Sequence, residues 1–292
     1  MSISGKIGDN YIIVKLIGKG AFGSVYLTQD KKKNYYASKV ESRKDSQRLI
    51  DEYKIYRSLY KRGMRSGIAK IYSLIQTPKF NMMVMELLGS SLDSMFTKCG
   101  KCFSLETTLL LAINIITLLE KMHNAGFIHR DIKPNNFLVG YGKNSDKLYI
   151  TDFGLSKNYI KNGVHMQYAT KKSLIGTLRY ASLNMHMGVE PCRRDDLESL
   201  GYMLIYFLKG SLPWQGLKKE KNEDQVELIG NVKLCTSIEK LCDNLHPNFN
   251  KYIKTCRNLK FEEEPDYDKL RSYFVEIADE LGLNIRFEWD TR

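Results

Sequence analysis

The sequence predicts an α+β fold in two parts: a small β-rich N-terminal lobe and a larger, mostly helical C-terminal lobe, with a crevice between them. Three observations carry this expectation. At 292 residues the chain is long for one core and short for two ordinary domains. As far as residue 88 its apolar side chains fall in short, branched runs punctuated by turns, the pattern of strands. Beyond it the longest apolar runs, within 106–122 and 200–208, read as core helices.

Apolar content of 43% with 27% charged residues describes a globular chain and excludes a disordered one. Lys and Arg outnumber Asp and Glu by 45 to 33, and the net charge of +12 favours anionic partners. The positive residues form short clusters, at 31–33, 61–65, 171–172, 193–194 and 218–221, without interleaved aromatics. They read as a solvated face and not as a specific nucleic-acid surface. The 6 cysteines include one C-x-x-C pair, Cys99 and Cys102, but no second pair at ligand spacing follows and the 5 histidines are dispersed. Free thiols fit better than half of a zinc site. No cleavable signal precedes them, so a reducing compartment is expected, the cytoplasm with extension to the nucleus. The longest apolar runs, 109–119 and 200–208, fall short of the ~20 residues that a bilayer span requires.

Taken in order, residues 11–17 are rich in branched apolar side chains, Gly18-Lys19-Gly20-Ala21-Phe22-Gly23 follows, and residues 24–28 again have strand character. G-x-G-x-x-G also marks dinucleotide-binding sites, and Glu41 lies near the place of their ribose-binding acid. Such a site needs a helix directly after its glycines, whereas Val25-Tyr26-Leu27-Thr28 favours extended chain. The glycines therefore read as a flap whose backbone amides approach phosphates unobstructed. Residues 35–40 form the next strand and carry Lys39 in apolar surroundings. Residues 47–60 have helical spacing, with Glu52 in the middle of the stripe formed by Leu49, Ile55, Tyr56 and Leu59. A carboxylate there is costly unless a cation meets it. Lys39 is the natural partner, and the pairing would hold it against the α- and β-phosphates of a nucleotide.

Residues 81–88 form an apolar strand followed by Gly89 as a hinge, where backbone groups would meet an adenine edge. Residues 106–122 form a core helix, and His123 at its end reads as packing. Next, His129-Arg130-Asp131-Ile132-Lys133-Pro134-Asn135-Asn136 has the H-R-D-x-x-x-x-N spacing of phosphoryl-transfer loops. Asp131 would hold a substrate hydroxyl while its proton leaves, Lys133 would bring positive charge to the moving phosphoryl group, and Asn136 would offer an amide oxygen to Mg²⁺. Pro134 stiffens the loop. Residues 137–139 and 148–150 are two short strands whose hairpin would return Asp152, in Asp152-Phe153-Gly154, toward Asn136, so that two oxygen ligands converge. Asp196 heads the apolar helix around 200–208 and is expected to spend its charge on backbone amides of the 129–136 loop, with Asp195 exposed.

On these motifs the chain resembles the eukaryotic protein kinases over nearly its whole length. Within them it is similar to the casein kinase 1 family on particular strings: Leu87-Leu88-Gly89 before Ser90-Ser91-Leu92, Phe127-Ile128, Arg179-Tyr180-Ala181-Ser182, Arg193-Arg194-Asp195-Asp196-Leu197-Glu198, and Gly210-Ser211-Leu212-Pro213-Trp214. Ser182-Leu183-Asn184 stands near that family's Ser-Ile-Asn, where most kinases carry Ala-Pro-Glu. Lys133 resembles serine/threonine kinases more than tyrosine kinases.

The resemblance implies a bilobal kinase fold at 9–292, with an N-lobe at 11–87, a C-lobe at 88–292, an extension at 1–8 and ATP in the crevice. It implies phosphate transfer from ATP to serine or threonine, with Mg²⁺ on Asn136 and Asp152. Asp131, Lys133, Asn136, Lys39, Glu52 and Asp152 form the catalytic set. Nucleotide would be bound by Ile17, Gly18, Lys19, Gly20, Ala21, Phe22, Gly23, Ser24, Val25, Ala37, Lys39, Met85, Glu86, Leu88 and Leu138. Thr177 either hydrogen-bonds Asp131 or Lys133, as the resemblance implies, or is a surface threonine. Acidic or already phosphorylated protein substrates are implied, with Lys172 and Arg179 at two basic positions. At the third stands Gln225, preceded by Glu223 and Asp224, which weakens that preference unless Lys218, Lys219 or Lys221 substitutes. Thr151 replaces an apolar residue of the adenine pocket. Without a long regulatory tail after Trp289, constitutive activity of a monomer is expected. A pseudokinase scaffold would share the fold but should lack Lys39, Asp131 or Asp152, and all are present.

Overall fold

The computed structural model describes residues 6–7, 10–20, 23–43, 47–218 and 224–289. The chain divides into two compact units, Met1–Ser90 with Leu138–Gly154, and Ser91–Phe137 with Leu155–Arg292.

The first unit is built on β1 (Lys6–Ile7), β2 (Tyr11–Lys19), β3 (Ser24–Asp30), β4 (Tyr35–Ser42), α1 (Gln47–Lys61), β5 (Ile71–Gln76) and β6 (Phe80–Met85). The strands form one antiparallel sheet in the order β1-β2-β3-β4-β6-β5. Period-two alternation decides its faces. Tyr26, Val40, Met82 and Val84 share a buried cluster with Tyr11, Ile13, Tyr36, Ile75 and Phe80 against it. Lys39, in register with Val25 and Met83, points to the opposite face. The β3-β4 turn is set by Asp30, whose carboxylate accepts the Lys32 and Asn34 amides at 2.8 and 2.9 Å while Lys33 takes a left-handed φ of 67°. On α1 the buried stripe is Leu49, Glu52, Tyr56 and Leu59.

The second unit contains α2 (Leu92–Lys98), α3 (Leu105–Asn124), β7 (Phe127–Ile128), most of the loop leading to β8 (Phe137–Val139), and, after β9 (Leu148–Ile150), β10 (Lys157–Asn158) and α4 (Leu183–His186). It continues with α5 (Arg193–Lys209), α6 (Gln225–Cys235), α7 (Ile238–Leu241), α8 (Pro247–Asn258) and α9 (Tyr267–Glu280). Helix α3 starts where Ser104 caps the Thr107 amide at 3.1 Å, and it buries Leu109, Leu111, Ala112, Ile115, Ile116, Leu118 and Leu119. It packs on α5 and α9, and α5 packs on α8. The α5-α8 approach explains Gly201, where a Cβ would lie 2.3 Å from Ile253 Cδ1. Helix α5 stops at Gly210, in the left-handed region at φ 74°. No helix of the described residues is long and apolar enough to cross a membrane.

Asp195 is not exposed as expected. It is 1% exposed, and its carboxylate accepts the Ser182 hydroxyl at 2.5 Å and the Cys192 amide at 2.8 Å. The first turn of a helix leaves amides without partners, so an acid at its third position folds back as a cap. Burial pushes the Asp195 carboxyl up to about 6, outweighing its hydrogen bonds from Ser182 and Cys192. The native state thus holds this proton more tightly than the unfolded chain. Its stabilising contribution is full below the ordinary value of 3.8 and disappears as pH rises through about 6, on the order of 3 kcal/mol in all. Asp195→Asn is expected to flatten the pH dependence of unfolding free energy between about pH 4 and pH 6. Denaturant titrations across that interval with the parental slope in both proteins would count against this placement of the proton.

Candidate active site

In the first unit the site begins with one rung of the sheet, Gly18, Val25, Lys39 and Met83 lying opposite one another across four strands. Lys39 Nζ donates to Glu52 Oε2 at 2.6 Å and to Asp152 Oδ1 at 3.0 Å, joining β4, α1 and the segment after β9. Burial works against the charge of Lys39, but the two carboxylates outweigh it and hold the ammonium above its ordinary range. Burial raises Glu52, which is 1% exposed, against the pull of Lys39. Asp152 adopts a left-handed φ of 65° and keeps 41% of its side chain exposed. Phe153 packs edge-on against Tyr56 of α1, ring centres 4.6 Å apart, which anchors the Asp152 turn to the same helix.

Strands β2 and β3 flank the glycine segment, where the Gly20 amide donates to Gly23 O at 2.9 Å. Its glycines are not equivalent. A Cβ on Gly23 would lie 2.5 Å from Val40 O, whereas one on Gly18 would meet nothing nearer than 3.6 Å. Ile17, Gly18 and Lys19 close β2, and Ser24 and Val25 open β3. Ala21 and Phe22 lie outside the described residues. Ala37 pairs with Met85 at the end of β6, one strand residue short of Glu86. Glu86 is fixed by its amide on Lys70 O at 2.8 Å and by its carboxylate on the Lys70 amide at 3.1 Å. Gly89 is required by close approach, since a Cβ would lie 2.7 Å from Gly140 O. There the chain is bound to β8 through the Gly89 amide on Val139 O and the Val139 amide on Ser90 O, at 2.8 and 3.0 Å. Leu88 and Leu138 are half-buried.

In the second unit the 129–136 loop is organised around two carboxylates. Asp196, 2% exposed, accepts the His129 and Arg130 amides at 2.7 and 2.8 Å. His123 also lies on it, with Nε2 3.0 Å from Oδ2, while Nδ1 meets the Tyr267 hydroxyl at 2.7 Å. Burial opposes the Asp196 charge, yet the hydrogen bonds and nearby histidines keep this carboxyl below its ordinary value. Asp131, 7% exposed, is held on both oxygens, Oδ1 by the Thr177 hydroxyl at 2.8 Å and Oδ2 by Lys133 Nζ at 2.6 Å. Of the two readings of Thr177, the structure therefore takes the one with Asp131. Asn136 Nδ2 donates to Asp131 O at 2.8 Å, so the nitrogen end of the amide faces the loop. Gly176, at φ 80°, passes where a Cβ would lie 2.5 Å from Arg130 O.

Lys172 and Arg179 have separate surroundings. Lys172 Nζ is 3.7 Å from Glu190 Oε2 and about half exposed. The Arg179 guanidinium lies over the Tyr206 and Tyr180 rings, 5.2 and 5.7 Å from their centres, and the Arg179 carbonyl accepts from Trp214 Nε1 at 2.7 Å. Gln225 opens α6, and Asp224 before it caps the helix by accepting the Val226 amide at 2.8 Å. Lys219, Lys221 and Glu223 lie outside the described residues. Two buried acids, one in each unit, escaped sequence reasoning. Glu190, after Gly188-Val189, is 6% exposed. Glu41, weighed only as a ribose ligand, is 1% exposed on β4, and burial raises its carboxyl. The available signal was an acid set among apolar or proline neighbours, Val40-Glu41 and Val189-Glu190-Pro191.

Two expectations about the first unit follow. Lys39→Met should lose ~3–5 kcal/mol of stability by urea titration, because Glu52 is left buried without its cation, and adding Glu52→Leu should recover most of it. Simple additivity of the two changes would argue against the coupling. Gly23→Ala should cost ~1–3 kcal/mol while Gly18→Ala costs less, as read by thermal melts. Equal shifts would show that the Val40 carbonyl yields freely.

A protein-family model described as "Protein kinase domain" matches residues 11–270 of the chain. That stretch covers β2 to β6 of the sheet, the Lys39 cluster, the Asp131 loop and the helices through the start of α9. The chain belongs to the protein kinase family.

Proposed function

We propose that the protein is a serine/threonine kinase of casein kinase 1 type that transfers the γ-phosphate of ATP to protein hydroxyls. The observation that carries this reading is the double hold on Asp131, by Lys133 at 2.6 Å and Thr177 at 2.8 Å. Both bonds stabilise the carboxylate as an acceptor and fix its orientation. A substrate serine or threonine oxygen attacks the γ-phosphorus as the bond to the β-γ bridging oxygen breaks, and the hydroxyl proton passes to Asp131. Lys133 supplies positive charge to the transferring group. Lys39, kept protonated by Glu52 and Asp152, would face the α- and β-phosphates.

Asp152 and Asn136 each carry an oxygen donor of the kind a hard cation takes, a partly exposed carboxylate in the first unit and, in the second, the amide whose nitrogen donates to Asp131 O. Mg²⁺, when bound, would neutralise phosphate charge.

The substrate reading is a preference for acid or phosphate on the N-terminal side of the target residue, weakened by Gln225. Lys172 and Arg179 support it as exposed or half-exposed cations. The test is labelled phosphate transfer from ATP to casein and to peptide arrays with and without a priming phosphate. The parent should label serine and threonine, with acidic or primed peptides favoured, and Asp131→Asn should be slower by about a thousandfold or more. Undiminished transfer by that variant would remove the assignment of Asp131, and equal rates on all peptides would remove the substrate preference.

A further inference from the structure

Helix α6 carries a lysine that water does not reach. Lys233 is 0% exposed, and its Nζ donates to two carbonyls of another segment, Leu178 O at 2.8 Å and Ala181 O at 2.5 Å. The same nitrogen lies over the Tyr202 and Trp214 rings, 5.1 and 5.0 Å from their centres. The Glu198 field favours its charge, but that carboxylate is itself bonded to Arg257, at 3.1 Å, and to the Tyr202 hydroxyl. A lysine that served only for packing would bury its carbon stem and keep its nitrogen in water. Here the nitrogen is the buried end. Burial pushes the ammonium down to about 7, yet a neutral amine still has two N–H groups, one for each carbonyl, so the bonds outlast the charge.

What Lys233 holds is the stretch that begins at Thr177. Tyr180 and Ala181 are both 4% exposed, which removes water as a ready partner for the backbone there. Their amides donate back to Thr177 O at 2.9 and 3.0 Å. Trp214 Nε1 takes the Arg179 carbonyl at 2.7 Å, so three carbonyls of residues 178–181 are tied to side chains of the helical unit. At one end of the stretch Thr177 gives its hydroxyl to Asp131 Oδ1 at 2.8 Å, and at the other Ser182 caps α4. A turn tethered in this way cannot slide without breaking those bonds.

We propose that Lys233 is a positioning residue for protein substrate: reaching from α6, its amine pins the carbonyls of Leu178 and Ala181, so that Thr177 and Arg179 meet Asp131 and the incoming peptide in fixed register. The proposal rests on the kinase reading and adds to it what holds the peptide side of the site.

The test compares parent with Lys233→Met, which keeps an apolar side chain of similar length and removes the donors. Peptide phosphorylation, thermal melts and amide hydrogen exchange read by mass spectrometry are measured on both. Folded Lys233→Met should lose about tenfold or more in kcat/KM for peptide, with KM for ATP changed by no more than about twofold. Exchange within 177–181 should quicken by about tenfold or more while α5 and α8 keep the parental rate. A variant that had merely lost stability would quicken everywhere and keep both KM values. Lys233→Gln, which retains a polar end, takes the same criteria if Lys233→Met does not fold. Parental kcat/KM for peptide in a folded variant, or parental exchange at 177–181, would overturn the proposal. So would parent protein in which 177–181 exchanges as fast as the exposed residues 161–164, an arm that does not depend on any variant. A parent inactive on every peptide but protected at 177–181 would instead remove the kinase reading beneath it and leave the tether standing.

Discussion

The 129–136 loop of the second unit depends on the burial of one charge. Asp196 sits at the head of α5 with 2% of its surface exposed, and removing such a carboxylate from water costs several kcal/mol unless donors replace the solvent. The replacements are the His129 and Arg130 amides, the His123 ring and the first turn of the helix. Because the donors are backbone amides, satisfying the carboxylate fixes the path of the chain and not merely a side chain. Asp131 follows directly on that fixed path, and its two oxygens need only Lys133 and Thr177 to complete their orientation.

The first unit also centres on a buried carboxylate, but its partner is a cation instead of backbone amides. There Glu52 is met by Lys39 on the neighbouring sheet, and Lys39 is shared with Asp152. Sheet register places Lys39 on the face away from the Tyr26 and Val40 cluster, so one-residue slippage would carry it into apolar packing. Tyr56 and Phe153 then keep the Asp152 turn against the helix that carries Glu52. Packing and charge therefore determine the same geometry.

Much of this could be read without coordinates, for reasons visible in single residues. Glu52 announced itself because an acid in the centre of an apolar helical stripe is a conflict with few solutions. The strands at 137–139 and 148–150 fell where the structure has them, since each is a short apolar run bounded by polar residues. Asp195 was misplaced because adjacent acids on a helix point in different directions, and only the return of Ser182 in space reveals a partner for the second. The helices after residue 224 were passed over although Asp224, Ser237 and Asp266 stand as caps before three of them. The faces of α8 and α9 matter only once α5 and α3 exist to receive them, and α6 and α7 pack in turn on α4 and α8. The partners of Glu190 could not be read, because its three cations lie far from it in sequence.

Arg130 and Asp152, one in each unit, share a backbone shape that side-chain-bearing residues avoid, with φ of 69° and 65°. Such a shape costs ~1–3 kcal/mol, and it endures only while the bonds around it last. Both loops are thus wound like springs behind latches, Arg130 behind Asp196 and Leu155, Asp152 behind Lys39. Anything that loosens a latch lets the backbone relax downhill, so disarming either loop needs little outside work, whereas setting it again must be driven by remaking the hydrogen bonds.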